Sequence, residues 1–164
     1  MKGEPTMRPW IRRTAIVLAT GFGLGRSPVA SGTAGTLPGI LIVMAIWPYG
    51  LTWQILAAVI LPILAIPVCD IAERHFGTKD DGRIVADEYL TFPIAMLGLP
   101  LTPWVVAMAF VSARVFDIIK PPPARRLQDL HGGLGIVIDD VLASGYSLAA
   151  NHLAYWFIVR FILA

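Results

Sequence analysis

Two adjacent aspartates, Asp139 and Asp140, end the stretch HGGLGIVIDD and stand at the mouth of a run, residues 141–159, that carries no charge. A carboxylate in apolar surroundings is costly unless it is paired, neutralised or bound to a cation, so the pair calls for a partner. Other acids could share that role: Asp70 and Glu73 in CDIAER, Asp87 and Glu88 in GRIVADEY, and Asp117 in ARVFDIIKPPP. Asp70 and Glu73 are three apart and share a helix face. Arg114, Asp117 and Lys120 share another, and their alternating sign makes a stripe that could cradle a phosphate. Carboxylates converging without Cys or His spacing suit a hard, oxygen-seeking cation such as Mg²⁺, held by a few carboxylates together with substrate phosphate and water.

Each of these residues also has a structural reading. Acids at helix starts favour the positive end of the macrodipole, which covers Asp87, Glu88, Asp139 and Asp140. Asp117 can be an ion-paired residue between Arg114 and Lys120, and Asp70 can pair with Arg74. Their joint occurrence on one face of an apolar protein favours chemistry. His131 heads a glycine-rich turn whose N–H groups could approach an anion, its imidazole shuttling a proton, or the turn is a helix-entry loop. The segment GRSPVASGTAGT, residues 25–36, offers hydroxyls at a helix start, a phosphate seat that matches neither a Walker A loop nor a dinucleotide fingerprint. Four residues separate Cys69 from Arg74, one short of the phosphate loop of cysteine phosphatases, so a thiol nucleophile is rejected.

The elements that must position these residues are apolar. Of 164 residues 56% are hydrophobic and 15% charged, against about 25% charged in a soluble domain. No charge occurs in residues 27–69, 89–113 or 141–159, gaps on the scale of a membrane span. A net charge of +2 without a basic stripe excludes nucleic acid as a partner. The single cysteine cannot form an internal disulfide. Arg26, between the first apolar run and VAS, argues against a cleaved signal peptide, and the stretch from Trp10 to Ala19 reads as an amphipathic helix at an interface. Thr33 or Thr36 is expected to cap a helix running to Trp47, PYG to turn the chain, and a second helix to run from Leu51 through Cys69 to Arg74, with Pro62 and Pro67 tolerated as kinks.

Residues 89–113 are long for one crossing and short for two. A shallow hairpin turning at GLPLTP leaves both turns uncharged and gathers twelve of the thirteen Lys and Arg residues, all but Arg160, with all eleven acids on one side. By the positive-inside rule that side is cytoplasmic. A single crossing would separate the acids. The expected fold is therefore all-α, a membrane-embedded helical bundle of about four crossings or shallow hairpins, with residues 1–20 an N-terminal extension and 21–164 one domain.

The ordered set GLGRSPVASGTAGTLPG, CDIAERHFGTKDDGRIVADE, FDIIKPPP and HGGLGIVIDDVLASG resembles phosphatidylglycerophosphatase A. The resemblance runs from about Gly23 to Ala149 and implies a Mg²⁺-dependent lipid phosphatase of the bacterial inner membrane that converts phosphatidylglycerophosphate to phosphatidylglycerol; the charge pattern puts its active site on the cytoplasmic side. The motif positions are Asp70, Asp87, Glu88, Arg114, Asp117, Lys120, His131, Asp139 and Asp140. Chemistry divides them into metal ligands (Asp70, Asp87, Glu88, Asp139, Asp140) and catalytic groups (Arg114, Lys120, Asp117, His131), with Ser31, Thr33, Thr36 and Arg83 as substrate contacts. A metal-activated water is the expected nucleophile and an aspartyl phosphate the alternative. The rival class is a transporter or ion pathway, which should carry polar groups through the whole thickness. Without the resemblance no residue separates phosphatidylglycerophosphate from other lipid phosphates, and oligomeric state is not specified.

Overall fold

Proline and glycine divide the described residues of this computed structural model, 7–127 and 129–162, into seven α-helices. α1 (Pro9–Ala19) opens on a proline, whose missing N–H costs nothing at a helix start. α1 packs on α3 through a face that buries Ala15 and Ala19. Residues 1–6 of the expected extension lie outside the described residues. α2 (Ser31–Ile46) begins after Ala30 in the left-handed conformation, φ 49°, and not at a threonine cap. Thr33 and Thr36 are already helical, and the Thr36 hydroxyl donates to the Gly32 carbonyl at 2.9 Å. The turn at Trp47–Tyr49 leads into α3 (Leu51–Phe76), which keeps Pro62 and Pro67 inside it. Gly77 ends α3 at φ 73°, its N–H donating to the Glu73 carbonyl at 2.8 Å. α4 (Ala86–Met96), α5 (Pro103–Ile119), the short α6 (Ala124–Leu127) and α7 (Gly133–Phe161) follow.

Among the described residues three stretches are long and apolar enough to cross a membrane: Ser31–Tyr49, Leu51–Phe76 and Gly133–Phe161. Between them lies α4, packed against α2, α3, α5 and α7, with Phe92, Ala95 and Met96 removed from solvent. Its 11 residues reach only about 16 Å, half of a bilayer's hydrocarbon thickness of about 30 Å. The chain then reverses and returns as α5. This is the hairpin expected from the charge pattern: its uncharged tip meets the Trp47–Tyr49 turn, and its two arms carry Glu88 and Arg114 to the same end, in contact.

A hairpin tip inside an apolar bundle must have its backbone groups satisfied by side chains, because water is scarce there. Asn151 donates to the Ala95 carbonyl at 3.1 Å, and His152 Nε2 lies 2.8 Å from that of Leu97. The Trp47 indole donates to the Leu99 carbonyl at 2.9 Å, and the Gly98 N–H donates to Gln54 Oε1 at 3.1 Å. Ser112 and Ser147 complete the network around Asn151.

Glycine sets how closely α7 crosses α3. A Cβ on Gly133 would stand 1.9 Å from the Ile66 carbonyl oxygen and 2.6 Å from the Asp70 nitrogen. Since backbone cannot yield as a flexible side chain does, Gly133→Ala should cost about 1–3 kcal/mol. Thermal unfolding of the detergent-purified protein should show a lowered midpoint; an unchanged midpoint would mean that the crossing is loose.

Candidate active site

The end of the bundle opposite the hairpin tip holds a cavity of about 310 Å³. The first turn of α2 contributes Ser31 and Gly32, and the first turn of α4 contributes Asp87 and Glu88. The last turns of α5 contribute Arg114 and Asp117, with Lys120 just beyond, while α7 adds Asp139 and Asp140. Asp80 and Gly82, from the α3–α4 loop, close one side. That loop is braced at two points. Arg83 pairs with Asp81 through two hydrogen bonds of 2.7 Å and stacks its guanidinium 3.9 Å from the Phe76 ring centroid, while the Val85 N–H donates to the Ala19 carbonyl at 2.8 Å. The hydrogen bonds from Arg83 hold the Asp81 carboxyl below the ordinary carboxylate range.

Arg114 forks between two elements: Nη1 lies 3.2 Å from Glu88 Oε2 and Nη2 3.1 Å from Asp117 Oδ2. The Thr36 hydroxyl also reaches Glu88 Oε2, at 3.3 Å. α2 comes this close because residue 32 is glycine, since a Cβ there would stand 2.4 Å from Glu88 Oε1 and 2.5 Å from Arg114 Nη2. The N-terminus of α2, with no acid in its first turn and no side-chain cap, thus stands at the cavity, which Ser31 and Gly32 line. Lys120 bonds Asp139.

Charge does not balance. Among the described residues six acids line the cavity against one arginine and one lysine. Asp87 Oδ1, Asp139 Oδ1 and Asp140 Oδ2 are buried without a hydrogen-bond partner. One oxygen from each of Asp117, Asp139 and Asp140 can lie within 4.8 Å of the other two. Orphaned, all-oxygen donors in a confined, anionic space fit a hard divalent cation.

The structure brings together Ser31, Asp87, Glu88, Arg114, Asp117, Lys120, Asp139 and Asp140 of the residues chosen from sequence. It adds Asp117 to the carboxylates placed to hold a cation, whereas Glu88 is engaged by Arg114 and Thr36. Asp70 lies outside the cavity, 2.9 Å from Arg74 Nη2. Thr33 and His131 are exposed and do not line it, and Arg83 braces the loop. Of the glycines after His131, Gly132 lies beside the Asp70 carboxylate and Gly133 against the backbone of α3, where α7 begins. Asp80 escaped the sequence reading. Its signal was the DDGR turn just ahead of the Asp87–Glu88 pair.

Fold and cavity together define an all-helical bundle with three helices apolar enough to cross a membrane and, at its polar end, carboxylates that could hold a cation. The model of the family phosphatidylglycerophosphatase A matches residues 17–155. An Escherichia coli phosphatidylglycerophosphatase A is 38% identical over 133 residues, 77% of this chain and 75% of the relative. One from Haemophilus influenzae is 35% identical over 144 residues, 85% and 88% of the two chains. A Bacteroides thetaiotaomicron protein provisionally named phosphatidylinositol-3-phosphatase is 38% identical over 151 residues, 87% of this chain and 94% of its own. No solved structure matches the chain. The chain belongs to the phosphatidylglycerophosphatase A family and is an enzyme.

Proposed function

We propose that this enzyme hydrolyses the terminal phosphomonoester of phosphatidylglycerophosphate, releasing phosphatidylglycerol and phosphate, with Mg²⁺ as cofactor. The observation that carries the reading is the set of three orphaned carboxylate oxygens beside Arg114 and Lys120, at one end of an apolar helical bundle. Asp117, Asp139 and Asp140 would hold the cation, which supplies positive charge that polarises a phosphoryl oxygen and acidifies water. The phosphate sits against the N-terminus of α2 and Arg114, whose N–H groups not engaged by Glu88 and Asp117 donate to its oxygens. Lys120 neutralises charge as it develops. Water attacks phosphorus and passes a proton to Asp87 Oδ1, while the bond to the glycerol oxygen breaks; that oxygen takes a proton from solvent water and leaves as the alcohol, and Asp87 returns its proton to solvent. Ser31 contacts the phosphate, Thr36 orients Glu88, and Glu88 orients Arg114. His131, Asp70 and Arg83 take no direct part in this reading.

The substrate is tested with a panel of detergent-dispersed lipids: phosphatidylglycerophosphate, phosphatidic acid, a prenyl phosphate and, following the Bacteroides relative, phosphatidylinositol 3-phosphate. The expected result is a kcat/KM at least about tenfold higher for phosphatidylglycerophosphate. A preference for any of the others would overturn the assignment.

The proposed location is the bacterial inner membrane with the cavity facing the cytoplasm, because Arg114 and Lys120 line the cavity and Arg74, Lys79, Arg83, Arg125 and Arg126 lie in the helix ends and loops that adjoin its lining in sequence. Single cysteines at Lys79, Lys120 and Arg126 in a Cys69→Ser background, exposed to an impermeant thiol reagent on intact cells, should stay unlabelled until the membrane is opened. Labelling of all three on intact cells would reverse the orientation.

A further inference from the structure

One face of α5 runs without interruption from the hairpin tip into the cavity. Pro103, Val106, Ala107, Phe110 and Val111 recur at helical spacing and line an apolar groove of about 640 Å³. The same stripe continues through Arg114, Asp117 and Ile118, which line the acid cavity. The facing wall, from α2, changes character at the same height. Leu37, Ile40 and Met44 line the groove, exposed Thr33 lies one turn before Leu37, and Ser31 and Gly32 line the cavity. α2 and α5 each pack on α4 and meet where Gly32 lies against Arg114; farther along, Leu37, Met44 and Val111 of the groove are exposed. From Val111 to Pro103 the groove follows α5 for about 12 Å.

We propose that the α2–α5 groove is an acyl-chain subsite: one fatty acyl chain of the lipid phosphate lies between α2 and α5 while its phosphate lies at Arg114 and the N-terminus of α2. This rests on the lipid-phosphatase reading above. Continuity with the cavity singles out the substrate's own chain as occupant over bulk lipid, because a chain joined through glycerol to a phosphate at Arg114 leaves the polar site at the rim of this groove. The lipid therefore enters sideways from the bilayer, between the two helices. Thr33, on the groove-facing stripe of α2 at that rim, stands at the level of the ester linkages. Ala107 sets the width of the groove, being a small, exposed residue among its larger lining.

The test compares full-length wild type, Ala107→Trp and Ala45→Trp in detergent. Ala45 is exposed on α2 but does not line the groove. Each is assayed on dioleoyl phosphatidylglycerophosphate and on the corresponding deacylated, water-soluble headgroup phosphate. Filling the groove should lower the ratio of kcat/KM for lipid over headgroup by about tenfold or more in Ala107→Trp. In Ala45→Trp the ratio should stay at the wild-type value. Equal ratios in the two variants would overturn the subsite. A wild type that hydrolyses neither compound would instead remove the phosphatase reading and the subsite with it. A second measurement does not depend on the variant folding: a phosphonate analogue of the lipid with a diazirine near its acyl terminus should cross-link to residues 40–44 and 101–106. Cross-links spread over the outer face of α3, as for a bulk phospholipid carrying the same group, would contradict the proposal.

Discussion

Asp140→Asn and Asp139→Asn should each lower kcat/KM for phosphatidylglycerophosphate by about 10³-fold or more, equivalent to about 4 kcal/mol of transition-state stabilisation. Both residues are buried, and each has a carboxylate oxygen with no partner among the described residues. A structural carboxylate would instead be paired throughout, as Asp81 is with Arg83. Asparagine keeps the shape but takes away the charge that would attract the cation. For Asp140 the substitution also relieves the cost of burying an anion, so in EDTA the variant should unfold at the same temperature as wild type or higher. Loss of activity with stability kept or raised separates a ligand from a packing residue. Addition of Mg²⁺ should raise the unfolding temperature of wild type and leave that of Asp140→Asn unmoved.

Arg114→Lys should lower kcat/KM by about 10²-fold even though the charge is kept. The guanidinium spans Glu88 on α4 and Asp117 on its own helix, at 3.2 and 3.1 Å. An ammonium group is a point donor and cannot hold that fork and present a planar pair of donors to a phosphate. The loss should divide between kcat and KM, since Arg114 both binds the phosphate and meets its developing charge. An effect confined to thermal stability would make Arg114 a structural tie between α4 and α5.

Why the acids converge was readable in sequence, because charge distribution alone selects a hairpin over a crossing for residues 89–113, and the hairpin is what places Glu88 against Arg114. The start of α3 at Leu51 was equally legible from its apolar run, while its end, expected at Arg74, falls at Phe76, where Gly77 stops the helix. Partner choice within the cluster was not. Lys120 shares an α5 stripe with Asp117, yet it reaches Asp139 on α7, because Lys120 lies past the helix in a left-handed conformation, φ 47°. Asp70 carries the same charge as Asp140 and lies in an equally suggestive motif, but the α7 glycines close over that part of α3 and Arg74 pairs with it one turn on. The start of α2 was misplaced for a related reason: its entry depends on the left-handed Ala30, which no capping pattern announces. The side chains that seal the hairpin tip, Gln54, Asn151 and His152, had no signal of their own, since their role arises only where α3 and α7 meet the end of α4.

The central claim is that the carboxylate cavity is a cation-dependent phosphatase centre, and the most direct measurement is release of inorganic phosphate from phosphatidylglycerophosphate by the purified protein. Wild type should release phosphate in Mg²⁺, fall to background in EDTA and recover when Mg²⁺ is restored, while Asp140→Asn stays at background throughout. Phosphate release that persists in EDTA, or that survives in Asp140→Asn, would contradict it.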